Sequence, residues 1–359
     1  MKLTLQLKML PSPEQAKALL DTMRQFNAAA SFASQIAFDA GVFSKPSIQK
    51  LCYYDLRERF GLSSQMAIRA IAKVADAYRS CGKTVCHQFR PDGAMCYDER
   101  ILSFKACDRV SILTLAGREL IQYVCGEYQS AQLNRLKGQV DLVYRGGQFY
   151  LYATIDFAEP LPVEVVDFIG VDMGIVNLAT DSDGTVYTGE KVEKVRKRFG
   201  KTRRNLQRKG TKSARRILKR LRRREGGFRK HENHVIAKCI VANAKDTGRG
   251  IAVEELTGIR ERTTVRHKQR NRHSGWAFHQ LRAFIEYKAK LAGVPVVAVD
   301  PRNSSRTCSQ CGHCEKANRK SQDCFACLHC GHSENADLNA ARNLRARATC
   351  SLASLVASP

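Results

Sequence analysis

The sequence predicts a multidomain α/β protein in which a helical module and a β-rich module precede an α/β layer. Residues 12–83 carry apolar side chains at helical spacing, and residues 84–165 contain short alternating stretches between Gly, Asp and Asn. From residue 166 onward, apolar strands alternate with amphipathic helices, which is typical of a layered α/β domain. With 359 residues, 43% of them apolar, the chain has material for two or three cores, so a wholly disordered protein is excluded.

The first module is expected to contain one strand and three helices. Alternation over residues 2–9 indicates a strand that completes the later β-rich module. The capping box Ser12-Pro13-Glu14-Gln15 begins a helix that runs up to Gly41, and further helices are predicted over 47–60 and 64–80.

The later elements follow from turn signals and apolar runs. Gly146-Gly147 predicts a β-hairpin, and FIGVD followed by a turn at Asp183-Gly184 predicts two or three strands. A helix is expected to end near Gly248 before the strand IAVE, and VPVVAVD is expected to be another buried strand. Trp276 is expected to anchor a core at the start of the intervening helix, and ADLNAARNLRARA predicts the final helix.

The charge of the chain indicates a polyanionic partner. There are 60 Lys and Arg against 34 Asp and Glu, a formal charge of +26, and half of residues 191–230 are Lys or Arg. Such an excess favours nucleic acid, with a ribosomal or membrane-surface protein as the alternative. The candidates for phosphate contact in this stretch are Arg203, Arg204, Arg208, Lys209, Arg215, Arg216 and Lys219.

Three carboxylates stand at the ends of predicted elements. Asp172 and Glu254 each end an apolar strand, and Asp337 opens the final helix. A single acid at such a place is commonly a turn former or a helix cap. Together, however, they offer the oxygen ligands that Mg²⁺ requires, and such a site can drive phosphoryl displacement. Glu255 is adjacent to Glu254, and because neighbouring side chains of a strand face opposite ways, only one of the two can belong to the site.

Six of the fourteen cysteines lie between residues 308 and 330. Cys308-x2-Cys311 and Cys327-x2-Cys330 have the spacing of a four-cysteine zinc ribbon, which predicts one structural Zn²⁺. Cys314 and Cys324 are expected to be spectators or a second, oxidisable pair. The N-terminus lacks an apolar signal region and no apolar run is long enough to span a bilayer, so a cytoplasmic protein without membrane association is expected.

The motifs GVDMG, AVEEL, FIEYKAKLAGVPVVAVDPRNSSRTCSQCGH and NADLNAARN occur in this order. Over residues 166–348 they resemble the split RuvC-type (RNase H-like) nuclease domain of the transposon-encoded TnpB proteins, relatives of the type V CRISPR effector nucleases. The resemblance implies that Asp172, Glu254 and Asp337 are catalytic and bind two Mg²⁺ (or Mn²⁺) ions. Arg306, beside the ribbon, is a further candidate for contact with the scissile phosphate.

The resemblance also implies partners and a domain plan. The partners are a guide RNA from the transposon end and double-stranded target DNA next to a short motif, bound by a monomer in a prokaryotic cell. The rivals are a nuclease-inactive RNA-guided DNA-binding repressor, a transposase, and a zinc-ribbon RNA-binding protein in which the acids are incidental. The expected domains are a wedge strand (1–11), a helical recognition domain (12–83), a β-rich wedge domain (84–165), a RuvC-like nuclease domain with basic helical arms (166–304), a zinc ribbon (305–333), and a final RuvC segment with the tail (334–359).

Overall fold

A computed structural model of the protein describes residues 1–105, 108–255, 278–321 and 323–356. The chain divides into two compact units, Met1–Ala158 and Glu159–Pro359. The multidomain α/β class is confirmed, because a seven-stranded sheet belongs to the first unit and a five-stranded sheet flanked by helices belongs to the second. The expected core role of Trp276 lies outside the described residues. In the described parts of the chain, no helix combines the length and apolarity needed to cross a bilayer.

The first unit is an antiparallel sheet packed against three helices. The strands are β1 (Lys2–Leu10), β2 (Met95–Tyr97), β3 (Leu102–Lys105), β4 (Arg109–Thr114), β5 (Gly117–Val124), β6 (Leu136–Arg145) and β7 (Gln148–Asp156). Their order in the sheet is β2-β6-β7-β1-β5-β4-β3, so the N-terminal strand pairs with two strands of the β-rich module, as predicted.

The helices of this unit confirm the helical predictions closely. The Ser12 side chain accepts from the Gln15 backbone and closes the predicted capping box. Helices and strands contribute side chains to one hydrophobic core, so the two predicted modules pack as a single unit. The helices are α1 (Pro13–Asp39), α2 (Lys45–Glu58), α3 (Ser64–Cys81) and the single turn α4 (Glu127–Ser130).

The second unit contains a mixed five-stranded sheet and a two-stranded ribbon. The strands are β8 (Phe168–Asp172), β9 (Asn177–Asp181), β10 (Val186–Thr188), β11 (Gly250–Glu254), β12 (Val296–Val299), β13 (Cys324–Ala326) and β14 (Ser333–Asn335). The order in the mixed sheet is β10-β9-β8-β11-β12, in which β11 is parallel to both β8 and β12, whereas β9 and β10 are antiparallel to their neighbours. The helices are α5 (Glu190–Lys209), α6 (Lys212–Asp246), α7 (Phe278–Ala292) and α8 (Ala336–Val356).

The structure differs from the sequence prediction at two places in this unit. The helix predicted to end near Gly248 also includes part of the basic stretch, because α6 begins at Lys212 and runs through Gly226-Gly227 to Asp246. Packing of its second half on the sheet outweighs the weak helix propensity of the glycines. β12 was expected to be buried, yet it is the edge strand of the sheet and is only partly covered.

Helices cover both faces of this sheet, and α8 approaches β8 unusually closely. A Cβ atom placed on Gly170 would stand 1.9 Å from the carbonyl oxygen of Ala341 in α8. Only glycine permits that approach. Arg345 of α8 also forms a two-pronged ion pair with Asp167, with N···O distances of 3.0 and 2.6 Å. α8 is therefore held against the strand that ends in Asp172.

Candidate metal centres and nucleic-acid surface

Strand alternation places Asp172 and Glu254 on the face of the sheet that α8 covers. Ile169 and Val171 pack with α6 and α7, so Gly170 and Asp172 face the other side. β11 is parallel to β8 and in register with it through the pair Val253–Val171, so Glu254 follows directly beside Asp172. The two acids meet because parallel strands end at the same edge of a sheet.

Asp337 is brought to the same place by the first turn of α8. Asn335 Oδ1 accepts from the backbone N–H groups of Asp337 and Leu338, at 2.9 and 3.3 Å, and thereby caps the helix. The Asp337 carboxylate in turn accepts a hydrogen bond of 2.9 Å from the Asn177 amide at the start of β9. Residues distant in sequence are thus joined at one site.

The electrostatics of the site reflect three acids in a small space. Burial raises the pKa of Asp172 to about 6, with a further contribution from the Asp337 charge, while a hydrogen bond from Glu254 and the charge of Arg319 oppose the rise. Burial and the Asp172 charge raise the pKa of Glu254 well above its ordinary value. A proton shared by Asp172 and Glu254 therefore relieves their repulsion.

The donor set suits a hard divalent cation. All three side chains offer carboxylate oxygens, and each adds charge that a cation would neutralise. Thr180, directly across from Asp172 on β9, is buried, and its Oγ1 has no hydrogen-bond partner among the described residues. The oxygens of the three carboxylates do not all lie within 4.8 Å of one another.

Glu254 and Glu255 have different surroundings. Glu254 is buried beside Asp172, with a relative exposure of 8%. Glu255 faces the opposite side, where Arg282 of α7 holds both of its carboxylate oxygens at 3.0 Å. Its charge is therefore already neutralised, and Glu254 is the member of the pair that stands with Asp172.

A ribbon arginine not singled out by the sequence also acts on this site. Arg319 lies between the two cysteine pairs, and its charge lowers the pKa of Asp172. Arg306, the predicted phosphate contact, lies exposed in a turn ahead of the ribbon, where its carbonyl accepts from Asn318. Nothing in the local sequence separates Arg319 from Lys316 or Lys320, because side-chain direction in the ribbon is set by its fold.

The four predicted zinc ligands form one cluster. The Sγ atoms of Cys308, Cys311, Cys327 and Cys330 all lie within 4.8 Å of one another, and two Sγ–Sγ distances, Cys308–Cys330 and Cys311–Cys327, are 3.6 Å. Tetrahedral zinc with Zn–S bonds of about 2.3 Å separates its sulfurs by about 3.8 Å. The group could therefore hold a zinc ion. Cys314 and Cys324 are exposed and lie outside this group.

The two cysteine pairs lie in matching turns. In each, the first cysteine N–H donates to the carbonyl of the histidine five residues later, His313 or His332, and its carbonyl accepts from a glycine. Those glycines, Gly312 and Gly331, have φ of 76° and 75°, a conformation that favours glycine. Backbone N–H groups of Cys330 and His329 lower the pKa of the Cys327 thiol to about 6, whereas burial raises the pKa of the Cys308 thiol.

The basic stretch forms a hairpin of α5 and the first half of α6, with a cleft of about 1230 Å³ between them. Arg203 is partly neutralised by Glu225, so this predicted phosphate contact also joins the two helices. The other six candidates are exposed, and no carboxylate lies within ion-pair distance of them in the described parts of the chain. They are Arg204, Arg208, Lys209, Arg215, Arg216 and Lys219.

Two family models match successive segments of the chain. Residues 154–259 match a family described as a probable transposase (OrfB of IS605), and residues 278–344 match the Cas12f1-like TNB domain. The matched segments contain all three acids and all four ribbon cysteines.

Among individual proteins, the CRISPR-associated endodeoxyribonuclease Cas12f1 of Sulfoacidibacillus thermotolerans is 30% identical over 258 residues, covering 66% of this chain and 58% of that protein. The putative RNA-guided DNA endonuclease InsQ of Escherichia coli K12 is 28% identical over 237 residues, or 60% of this chain and 58% of that protein. A TnpB-like protein of Methanocaldococcus jannaschii is 33% identical over 142 residues, 37% of this chain and 51% of that protein. A solved Cas12f1–sgRNA–target DNA complex matches with a TM-score of 0.42 at 18% identity, covering 96% of this chain and 99% of that one.

Proposed function

Because the chain is a relative of the TnpB-like proteins and the Cas12f endodeoxyribonucleases, we propose that it is an RNA-guided, divalent-metal-dependent endonuclease that hydrolyses double-stranded DNA at one RuvC-type site. The chain spans 58% of the length of the first two relatives, so activity and partners rest on the site of this chain itself. The observation that carries the proposal is the convergence of Asp172, Glu254 and Asp337, from two parallel strand ends and a helix start.

The acids and the arginine of the site would have different roles. Asp172, Glu254 and Asp337 would hold Mg²⁺ or Mn²⁺, which when bound activates water and neutralises charge on the phosphate. Arg319 stands close enough to act on the charge of Asp172, and a guanidinium there suits a phosphate oxygen of the scissile strand. The mixed sheet order, with two antiparallel strands added to three parallel ones, supports a RuvC-like (RNase H-like) fold.

The basic hairpin and the cysteine cluster support the proposed nucleic-acid partners and a structural zinc ion. The unpaired basic side chains of the α5–α6 hairpin suit the backbone of a guide RNA and of the target DNA. The four-cysteine group suits one structural Zn²⁺, since four thiolates complete the coordination of zinc and leave no open position.

The test is to purify the chain with its co-expressed RNA, sequence that RNA, and incubate the complex with a plasmid that carries the matching target. The wild-type complex is expected to linearise the plasmid only when Mg²⁺ is present. Asp172→Asn is expected to retain the RNA and lose cutting. Asp183→Asn is the matched control, because Asp183 follows the same hairpin but its charge is taken by Arg249, and it should still cut.

The rivals give different results. Target binding without cutting by the wild type would favour the RNA-guided repressor, and joined DNA products would favour a transposase. Cutting by Asp172→Asn at the wild-type rate would overturn the assignment of the site.

A further inference from the structure

Asn177 is the polar side chain that contacts Asp337 from the sheet. Its Nδ2 donates to Asp337 Oδ2 at 2.9 Å, across 160 residues of sequence. The orientation of the amide follows from its partner, since a carboxylate only accepts and the NH₂ group must face it. We propose that Asn177 is a positioning residue that holds the Asp337 carboxylate in the orientation required to bind a divalent cation. This inference rests on the proposed function.

The backbone of Asp337 and its carboxylate are held by different groups, so a fixed backbone alone does not fix the direction of the carboxylate oxygens. The Asn335 cap fixes the backbone of the first turn of α8. Rotation of the Asp337 side chain would still move both of its carboxylate oxygens. The hydrogen bond from Asn177 to Oδ2 restricts that rotation and leaves Oδ1 available to a cation.

A neutral donor is the suitable partner for a metal ligand. Elsewhere in this unit, Asp167 and Asp183 are held by Arg345 and Arg249, whose charges compete with any cation. The Asn177 amide orients Asp337 without cancelling its negative charge. Ligating carboxylates are commonly supported by hydrogen bonds of this kind, and losing one typically costs about 10- to 100-fold in metal affinity or activity.

The position of Asn177 is itself fixed by a close turn. A Cβ on Gly174 would lie 2.6 Å from the Asn177 carbonyl oxygen, so the chain from β8 turns tightly into β9. Gly189 N–H donates to the Val176 carbonyl at 2.8 Å and closes the turn from the other side. One hairpin thus carries Asp172 on its first strand and the support for Asp337 on its second.

The test measures metal binding by the full chain without RNA or DNA. Binding of Mn²⁺ is measured by the loss of the free-ion signal in electron paramagnetic resonance. The Mn²⁺-binding sites that the wild type has and Asp172→Asn lacks are assigned to the acidic centre. Asn177→Ala is expected to weaken Mn²⁺ binding at that centre by about 10- to 100-fold. In cutting assays the same variant should need more Mg²⁺ for half-maximal rate, with most of the rate recovered at saturating Mg²⁺.

Asn243→Ala is the matched control, because Asn243 also donates to an aspartate, Asp183, at 3.4 Å but away from the acidic centre. It should bind Mn²⁺ like the wild type, and both variants should unfold at the wild-type temperature. An unchanged Mn²⁺ affinity in Asn177→Ala would overturn the inference while leaving the proposed function intact. A wild-type chain that binds no Mn²⁺ at the centre would overturn both.

Discussion

The direction of single side chains decides which acids lie together at the edge of the sheet. Glu254 and Glu255 are adjacent and chemically alike. Glu254 is buried beside Asp172, whereas both carboxylate oxygens of Glu255 accept hydrogen bonds from Arg282. The difference arises because β11 ends at these residues and its side chains alternate between the α8 face and the α7 face. Two glutamates that are neighbours in the sequence therefore have different roles.

This placement gives a prediction for the paired variants Glu254→Gln and Glu255→Gln. Glu254→Gln removes a proposed metal ligand. The cutting rate should therefore fall by more than about 100-fold, which is the upper end of the loss expected when only a hydrogen-bond partner of a ligand is removed. Glu255→Gln loses an ion pair on the other face and should keep most of the rate, with a small fall in the unfolding midpoint. Rates are measured on a matched plasmid at saturating Mg²⁺. Equal losses in the two variants would contradict the assignment.

At the level of elements, the acidic centre depends on how α8 is held. The helix is set against β8 by the missing side chain of Gly170 and by the ion pair of Asp167 with Arg345. Its first turn follows directly from the ribbon strand β14. Both the sheet and the ribbon therefore determine where Asp337 stands.

Gly170→Ala tests the contact with the sheet. The new methyl group would overlap the Ala341 carbonyl, so α8 must move, and we expect a loss of about 1–3 kcal/mol in the free energy of unfolding together with weaker cutting. Gly226→Ala is the contrasting change, since Gly226 lies inside α6 with open space around its Cβ position, and it should stabilise by about 0.5–1 kcal/mol. Urea unfolding measures both. A neutral Gly170→Ala would mean that α8 is not confined by this contact.

The ribbon gives a second prediction at this scale. Cys327→Ser should release zinc, measured by atomic absorption, and lower the unfolding temperature, because structural zinc contributes directly to folding. Cutting should fall as well, since β14 leads into the turn that carries Asp337. Cys314→Ser and Cys324→Ser should retain one zinc per chain. Zinc loss in either of them would show that the ligand set differs from the four clustered cysteines.

Over the whole molecule, a strongly positive chain contains a small acidic centre formed by Asp172, Glu254 and Asp337. The formal charge of +26 draws polyanions to the surface, while the acids repel phosphate unless cations neutralise them. The α5–α6 hairpin carries many exposed basic side chains. Binding of nucleic acid and cutting should therefore be separable by salt and by metal.

The expected measurement is the dependence of RNA affinity on KCl concentration. Replacing Arg208 and Arg215, both exposed on the hairpin, with Gln should weaken binding and reduce the slope of log affinity against log salt by about 1 for each lost phosphate contact. Replacing Arg24 and Arg79 removes the same charge, but these side chains already pair with Asp21 and Asp76. That control should leave the slope unchanged. Similar slopes for both double variants would place the RNA elsewhere.

The sequence by itself determined what is local or carried by motif. The capping box at Ser12, the strand ends at Asp172 and Glu254, and the cysteine spacing could all be read directly, because periodicity, caps and ligand spacing act over a few residues. Only the tertiary structure decided that β12 is an edge strand, that the charge of Arg319 acts on Asp172, and that Asn177 donates a hydrogen bond to Asp337. The two interactions join residues 147 (319 − 172) and 160 positions apart. Their geometry depends on packing such as that of α8 on Gly170, for which a linear pattern contains no signal.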